Sequence, residues 1–267
     1  MTKPFHLIEA SAKAVPIIVS VPHSGTDFPP ELEHDFLTEM RIRADDTDWF
    51  VHQLYNFVPD MGISLIHSRY CRWVIDLNRD PESKPLYDDG RIITGLTPHS
   101  DFHGNEIYVS QDHYPNEEEI NRRLALYYWP YYQKLEELLT ERKAEFGQVL
   151  LWDAHSIRQF VPGIRKAHFP DLILGSNDRQ SAKQGLIDIA MHNLDGFGFD
   201  LKHNDPFKGG HITRYFGNPG ENVHALQLEM VKKLYMDDNE RIYDEQSAKK
   251  IKEMLKQVFE GLLGYLN

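Results

Sequence analysis

The sequence is poor in cysteine, with Cys71 alone among 267 residues. No internal disulfide can form, so a disulfide-stapled scaffold is excluded and a reducing compartment is the expected setting. No run approaches 18 apolar residues, so no transmembrane helix is predicted. The first sixteen residues carry Thr2, Lys3, His6 and Glu9 and no apolar stretch. They read as a mature start rather than a signal peptide, with the cytoplasm as the default location. Cations are scarce: 29 Lys and Arg stand against 41 Asp and Glu, a formal net charge of −12. An acidic surface argues against nucleic-acid and membrane partners, while a few buried arginines still suffice for a local anion pocket. Repeats, low-complexity tracts, a His-Glu-x-x-His protease motif, a G-x-S-x-G elbow and a Walker A loop are all missing.

What is present is an ordinary globular mixture, 41% hydrophobic and 26% charged, long enough to bury a core without staples. Val15 to Val21 is β-branched and apolar and predicts a buried strand, stopped by Pro22-His23-Ser24-Gly25. A helix is predicted from Asp46 to Val58, then strands at Ile63–Ile66 and Trp73–Ile75. From Asn78 to about Gln111 the chain is rich in Asp, Pro, Gly and Ser, an irregular stretch of the kind that usually serves function. A helix follows from about Asn116 to Phe146, interrupted by Pro130. Strands are expected at Val149–Trp152, Leu172–Leu174 and His224–Val231. Helices are expected at Asp178–Leu194 and Glu245–Leu263. Strands alternating with helices predict one α/β layered domain.

Fourteen histidines give any one of them a low prior. His23 and His155 rise above the rest because each follows a predicted buried strand in a small-residue turn. Ligands gather at the carboxyl ends of strands in open α/β sheets. Two imidazoles and a carboxylate suit a borderline ion such as zinc. The candidate acids are Asp45, Asp46 and Asp48, which at a helix start also fit plain capping. In Arg72-Trp-Val-Ile-Asp76-Leu-Asn78-Arg79, strand alternation puts Arg72, Val74 and Asp76 on one side. Arg79 beyond the strand end suits a carboxylate clamp; the bland alternative is an Arg72–Asp76 or Arg79–Asp80 ion pair. Glu229 shares a strand face with Ala225 and Gln227. Buried there, it must pair or act as a base; a half-exposed strand would leave it in water.

The chain resembles the N-formylglutamate amidohydrolase family. The likeness is carried by Val21-Pro-His-Ser-Gly-Thr26, Asp46-Thr-Asp-Trp49, Arg72 to Pro81, Asp153-Ala-His-Ser-Ile-Arg158, Phe207-Lys-Gly-Gly210 with Thr213-Arg214, and Val223 to Glu229. These blocks run in order across residues 21 to 229. The resemblance implies a single three-layer α/β/α domain with a mixed sheet, zinc-carboxypeptidase-like, over residues 1–267. It implies one zinc ion on His23, His155 and an acid, a substrate carboxylate gripped by Asn78 and Arg79, and Glu229 as the base. The carboxypeptidase pattern has its acid where this chain has Thr26. The resemblance points instead to the Asp46-Thr-Asp48 block, with Asp46 as the expected acid and Asp48 as the alternative or as an orienting or capping group. Arg214 is expected at a second carboxylate and Arg72 at the developing oxyanion. The implied reaction hydrolyses a small anionic substrate, N-formyl-L-glutamate, to formate and L-glutamate in histidine degradation. Rival readings are another N-acyl amino acid amidohydrolase, a carboxypeptidase, and a non-catalytic binder of acidic metabolites or zinc.

Overall fold

A computed structural model describes residues 2–82, 84 and 95–266. Residues 83 and 85–94, part of the expected irregular stretch, lie outside the described residues. The strands are β1 (Phe5–Ile8), β2 (Ile17–Val21), β3 (Ser64–Ser68), β4 (Val149–Ile157), β5 (Leu172–Gly175), β6 (Leu201–His203) and β7 (Val223–Val231). The α-helices are α1 (Thr38–Ile42), α2 (Val51–Leu54), α3 (Glu117–Arg123), α4 (Trp129–Phe146), α5 (Gln184–Asp195), α6 (His211–Phe216) and α7 (Glu245–Leu266). All seven strands form one sheet in the order β1-β3-β2-β4-β7-β5-β6. The central strands β3, β2, β4 and β7 are parallel, whereas β1 pairs antiparallel with β3 and β5 antiparallel with β7.

Period-2 alternation divides the central strands between two cores. Leu150, Trp152 and Ala154 of β4 and Leu226, Leu228 and Met230 of β7 pack with α2, α5 and α7. Val149 and Leu151 of β4 and Ala225 of β7 pack with α4 and α6 on the other side. Strands covered on both faces read as continuous apolar runs, which is why the start of β4 was visible in the sequence, whereas β7 showed itself by the alternation of Leu226, Leu228 and Met230. Along α7, Ile251, Leu255, Val258 and Leu262 recur at helical spacing and are buried. Each contributes about 1.5–3 kcal/mol by leaving water. The expected three-layer α/β/α architecture with a mixed sheet is what the chain adopts.

The local departures have physical causes. The predicted helix over Asp46–Val58 shrinks to α2, because Asp48 turns inward, its backbone N–H donating to the His23 carbonyl, and Phe50 takes a left-handed φ of 64°. Residues Trp73–Ile75 are buried but form a turn, not a strand. The Val74 N–H donates back to the Cys71 carbonyl at 2.9 Å, and just beyond the turn Asp76 accepts from the Asn78 N–H at 2.9 Å. β4 runs past Trp152 to Ile157, so His155 lies within a strand rather than in a turn after it. Pro130 sits in the first turn of α4, after a π-helical turn at Leu124–Tyr128 that joins α3 to α4. The wider turn leaves room for a residue that lacks an N–H.

Candidate active site

The site forms at the carboxyl ends of β2, β4 and β7. The chain leaves β2 at Val21 and places His23 in the following turn. His155 lies near the end of β4, in register with Glu229 on β7. The turn before α2 brings in Asp48. His23, Asp48 and His155 are buried, and one ligand atom from each falls within 4.8 Å of the others. The Asp48 Oδ2 lies 3.1 Å from His155 Nδ1 and 3.8 Å from His23 Nδ1. The two imidazole centroids are 4.9 Å apart. His23 Nδ1 is buried with no hydrogen-bond partner among the described residues.

Behind each imidazole stands a carboxylate. His23 Nε2 lies 2.7 Å from Asp76 Oδ1, and His155 Nε2 lies 3.0 Å from Asp153 Oδ2. Such partners fix which ring nitrogen carries the proton and turn the other nitrogen inward. The inward set is then two nitrogens and one oxygen, and the orphaned His23 Nδ1 gives it a reason to exist. This donor set fits a borderline divalent ion such as zinc.

The structure brings Asp48, not Asp46, to the histidines. Asp46 is buried a short way off, where Oδ2 accepts from Trp73 Nε1 at 2.9 Å and Oδ1 accepts from the Phe102 N–H at 3.0 Å. Its two oxygens therefore tie the Asp46 turn to the Trp73 indole and to the 102 loop. Burial pushes its carboxyl up to about 6, against the nearby Arg72 charge and those hydrogen bonds.

Arg72 donates to Asp76 Oδ2 at 2.6 Å and lies over the Phe102 ring. The ion pair foreseen as its bland alternative therefore exists. Burial alone would raise the Asp76 carboxyl, but Arg72, His23 and Arg79 outweigh it and hold it well below the usual carboxylate range. Arg79 is half-buried, with Nη1 donating to the Asn78 carbonyl. Asn78 departs from the expected clamp. Its Oδ1 accepts from the Ile212 N–H at 2.8 Å and its Nδ2 lies 3.1 Å from His155 Nε2, so its amide is engaged inside the protein. The predicted Gly-Gly turn packs on it, since a Cβ at Gly210 would lie 2.3 Å from Asn78 Nδ2. Arg214, on α6, donates from Nε to the Gly209 carbonyl.

Glu229 is buried, and on its strand face Gln227 accepts from the Gly210 N–H. The expected Ala225-Gln227-Glu229 face is thus turned inward. Burial pushes the Glu229 carboxyl up to about 8, with the His155 charge opposing and the Asp48 charge reinforcing. Burial works to lower His155, yet Asp153 and Asp48 raise it well above the ordinary imidazole range. Asp76 was foreseen only as an ion-pair partner of Arg72, and Asp153 had no role assigned from sequence. Asp153 was findable, because residues two apart on a strand share a face.

Two imidazoles, an acid and a buried glutamate gathered beside the strand ends form a site fit for hydrolysis, and the comparisons with known proteins name amide hydrolases. The family model for N-formylglutamate amidohydrolase matches residues 15–236. A protein of Pseudomonas aeruginosa named N-formylglutamate deformylase is 38% identical over 255 residues, 94% of each chain. One of the same name from Pseudomonas putida is 36% identical over 253 residues, covering 94% of this chain and 93% of that one. The crystal structure of N-formylglutamate amidohydrolase from Ralstonia eutropha JMP134 superposes with a TM-score of 0.81 at 26% identity, covering 97% of this chain and 98% of that one. The matched span contains every residue of the site from His23 to Glu229, and on that evidence the chain belongs to the N-formylglutamate amidohydrolase family.

Proposed function

We propose that this chain is a zinc-dependent N-formylglutamate deformylase, its residues 1–267 acting as one amidohydrolase domain. It is an enzyme of the linear-amide hydrolase class by family. The observation that carries the metal reading is the convergence of His23, Asp48 and His155. These three would hold the ion through His23 Nδ1, Asp48 Oδ2 and His155 Nδ1. Such an ion, when bound, supplies Lewis acidity and makes water a stronger acid near neutral pH.

The chain's own groups do the rest. Arg79 and Arg214 supply the positive charge for the two carboxylates of a small dianionic substrate, with Asn78 shaping the wall between them. The ionised Glu229 carboxylate takes a proton from the attacking water as the water oxygen bonds to the formyl carbon. Arg72, fixed by Asp76, supports the negative charge that develops on the formyl oxygen; loss of one such donor typically costs about 10²–10³ in rate. Glu229 then hands the proton to the departing amine nitrogen as the C–N bond breaks. Formate and L-glutamate leave. The resemblance supports a place in histidine degradation, and the lone cysteine supports a cytoplasmic setting.

The test is formate release from N-formyl-L-glutamate by purified protein, before chelation, after it, and with zinc restored. Release that chelation abolishes and zinc rescues supports the proposal. N-acetyl and N-succinyl glutamate serve as controls: faster turnover of a larger acyl group would move the assignment to another N-acyl amidohydrolase. No release from zinc-loaded protein would sink the deformylase reading.

A further inference from the structure

We infer that Asp153 is a positioning residue that selects the metal-binding tautomer of His155 in competition with Asn78, an inference that rests on the metal reading above. His155 Nε2 has two neighbours of opposite character. Asp153 Oδ2, an acceptor, lies at 3.0 Å, and Asn78 Nδ2, a donor, lies at 3.1 Å. The Asn78 amide cannot turn round, because its Oδ1 already accepts from the Ile212 N–H at 2.8 Å. A single ring nitrogen can donate to the carboxylate or accept from the amide, but not both. If Nε2 accepts, the proton of the neutral ring sits on Nδ1, aimed at Asp48, and removes the lone pair a metal needs. If Nε2 donates, that lone pair faces Asp48 Oδ2 and His23.

Charge decides the contest. A hydrogen bond to an ionised acceptor is about twice as strong as a neutral one. Asp153 is also undivided in its attention. Its only ion-pair partner among the described residues is His155, and its Oδ1 is buried with no hydrogen-bond partner. Asp76, the corresponding group behind His23, divides its charge among His23, Arg72 and Arg79 and accepts from the Asn78 N–H. Behind His155, on the Nε2 side, the carboxylate is therefore one that no arginine shares among the described residues. Asp153 touches neither substrate nor reacting atoms and acts only through His155.

The test compares wild type with Asp153→Asn, a near-isosteric change that removes the charge. Zinc affinity is read by chelator competition, alongside ring ¹⁵N NMR of His155 in the zinc-loaded proteins. The expected result is zinc affinity weaker by about 10–100-fold, the range typical of lost outer partners, with far-UV circular dichroism unchanged. In zinc-loaded wild type, His155 Nε2 should carry a slowly exchanging, low-field proton that shifts upfield in the variant. Equal, tight zinc binding by both proteins would overturn the inference and leave the metal reading standing. Wild type that binds no zinc would overturn both. Should Asp153→Asn fail to fold, the wild-type resonance still decides: a zinc-loaded His155 without the low-field Nε2 proton refutes the role given to Asp153.

Discussion

Asp46 and Asp48 are separated by one threonine and do different things. Asp48 faces two imidazoles, whereas Asp46 faces an indole N–H and a backbone N–H. Asp48→Ala should weaken zinc binding by more than the roughly 10–100-fold expected of an outer partner, with a modest change in stability. Asp46→Ala should do the reverse. It leaves the buried Trp73 indole N–H unpaired, at about 1–3 kcal/mol, and the part-buried Phe102 N–H without its acceptor, while chelator competition still shows tight zinc. A matched loss of zinc in the Asp46 variant would return the ligand role to it. Glu229→Gln keeps the shape and removes the base, so kcat should fall by about 10²–10⁴ with zinc content unchanged. His23 and His155 were legible because each follows an apolar run, and Glu229 because period 2 puts it on one strand face with Ala225 and Gln227. The choice between Asp46 and Asp48 was not, because a turn has no period from which to read direction.

The edge pair β1–β3 carries a stack of three imidazoles. His6 and His67 are register partners, and the His67 ring lies 4.7 Å from both His6 and His52, nearly parallel to each. Burial, then the neighbouring rings, lowers His67 to about 4; burial also lowers His52 and His6, the latter further by Arg69 against Asp27. The folded pKa values lie below the unfolded value of 6.5, so the unfolded chain binds protons more readily on acidification. Stability from this stack is complete above about pH 6.5 and is lost as pH falls towards 4. Amide exchange in β1 should therefore accelerate between pH 7.5 and pH 5, after correction for intrinsic rates. His67→Phe should flatten that response, and an unchanged response would disprove the role of the stack. The β1 strand escaped the sequence reading because Phe5–Ile8 is only four residues long and mostly half-exposed. The opposite error arose at Trp73–Ile75, whose apolar character reported burial and not conformation. Strands β2 and β4 were legible as apolar runs because both of their faces are covered, and β7 by the alternation of Leu226, Leu228 and Met230.

For the molecule as a whole, net charge opposes its proposed substrate. A chain of −12 repels a dianion at long range, and added salt screens that repulsion over about 10 Å at 0.1 M. Raising ionic strength from 10 to 150 mM should therefore raise kcat/KM for N-formyl-L-glutamate. A flat or falling profile would mean that the arginines near the site set the approach instead.

The burial of Cys71 has a practical corollary. Its side chain is wholly enclosed, with Thr47 Oγ1 3.9 Å from Sγ, and burial pushes the thiol up to about 12. The thiolate is the reactive form, so the folded protein should ignore alkylating reagents that modify the unfolded chain within minutes. With one thiol per molecule, the uptake of a single label becomes a stopwatch for opening of the core. The same count, taken with and without zinc, would report directly how far the metal holds the domain shut.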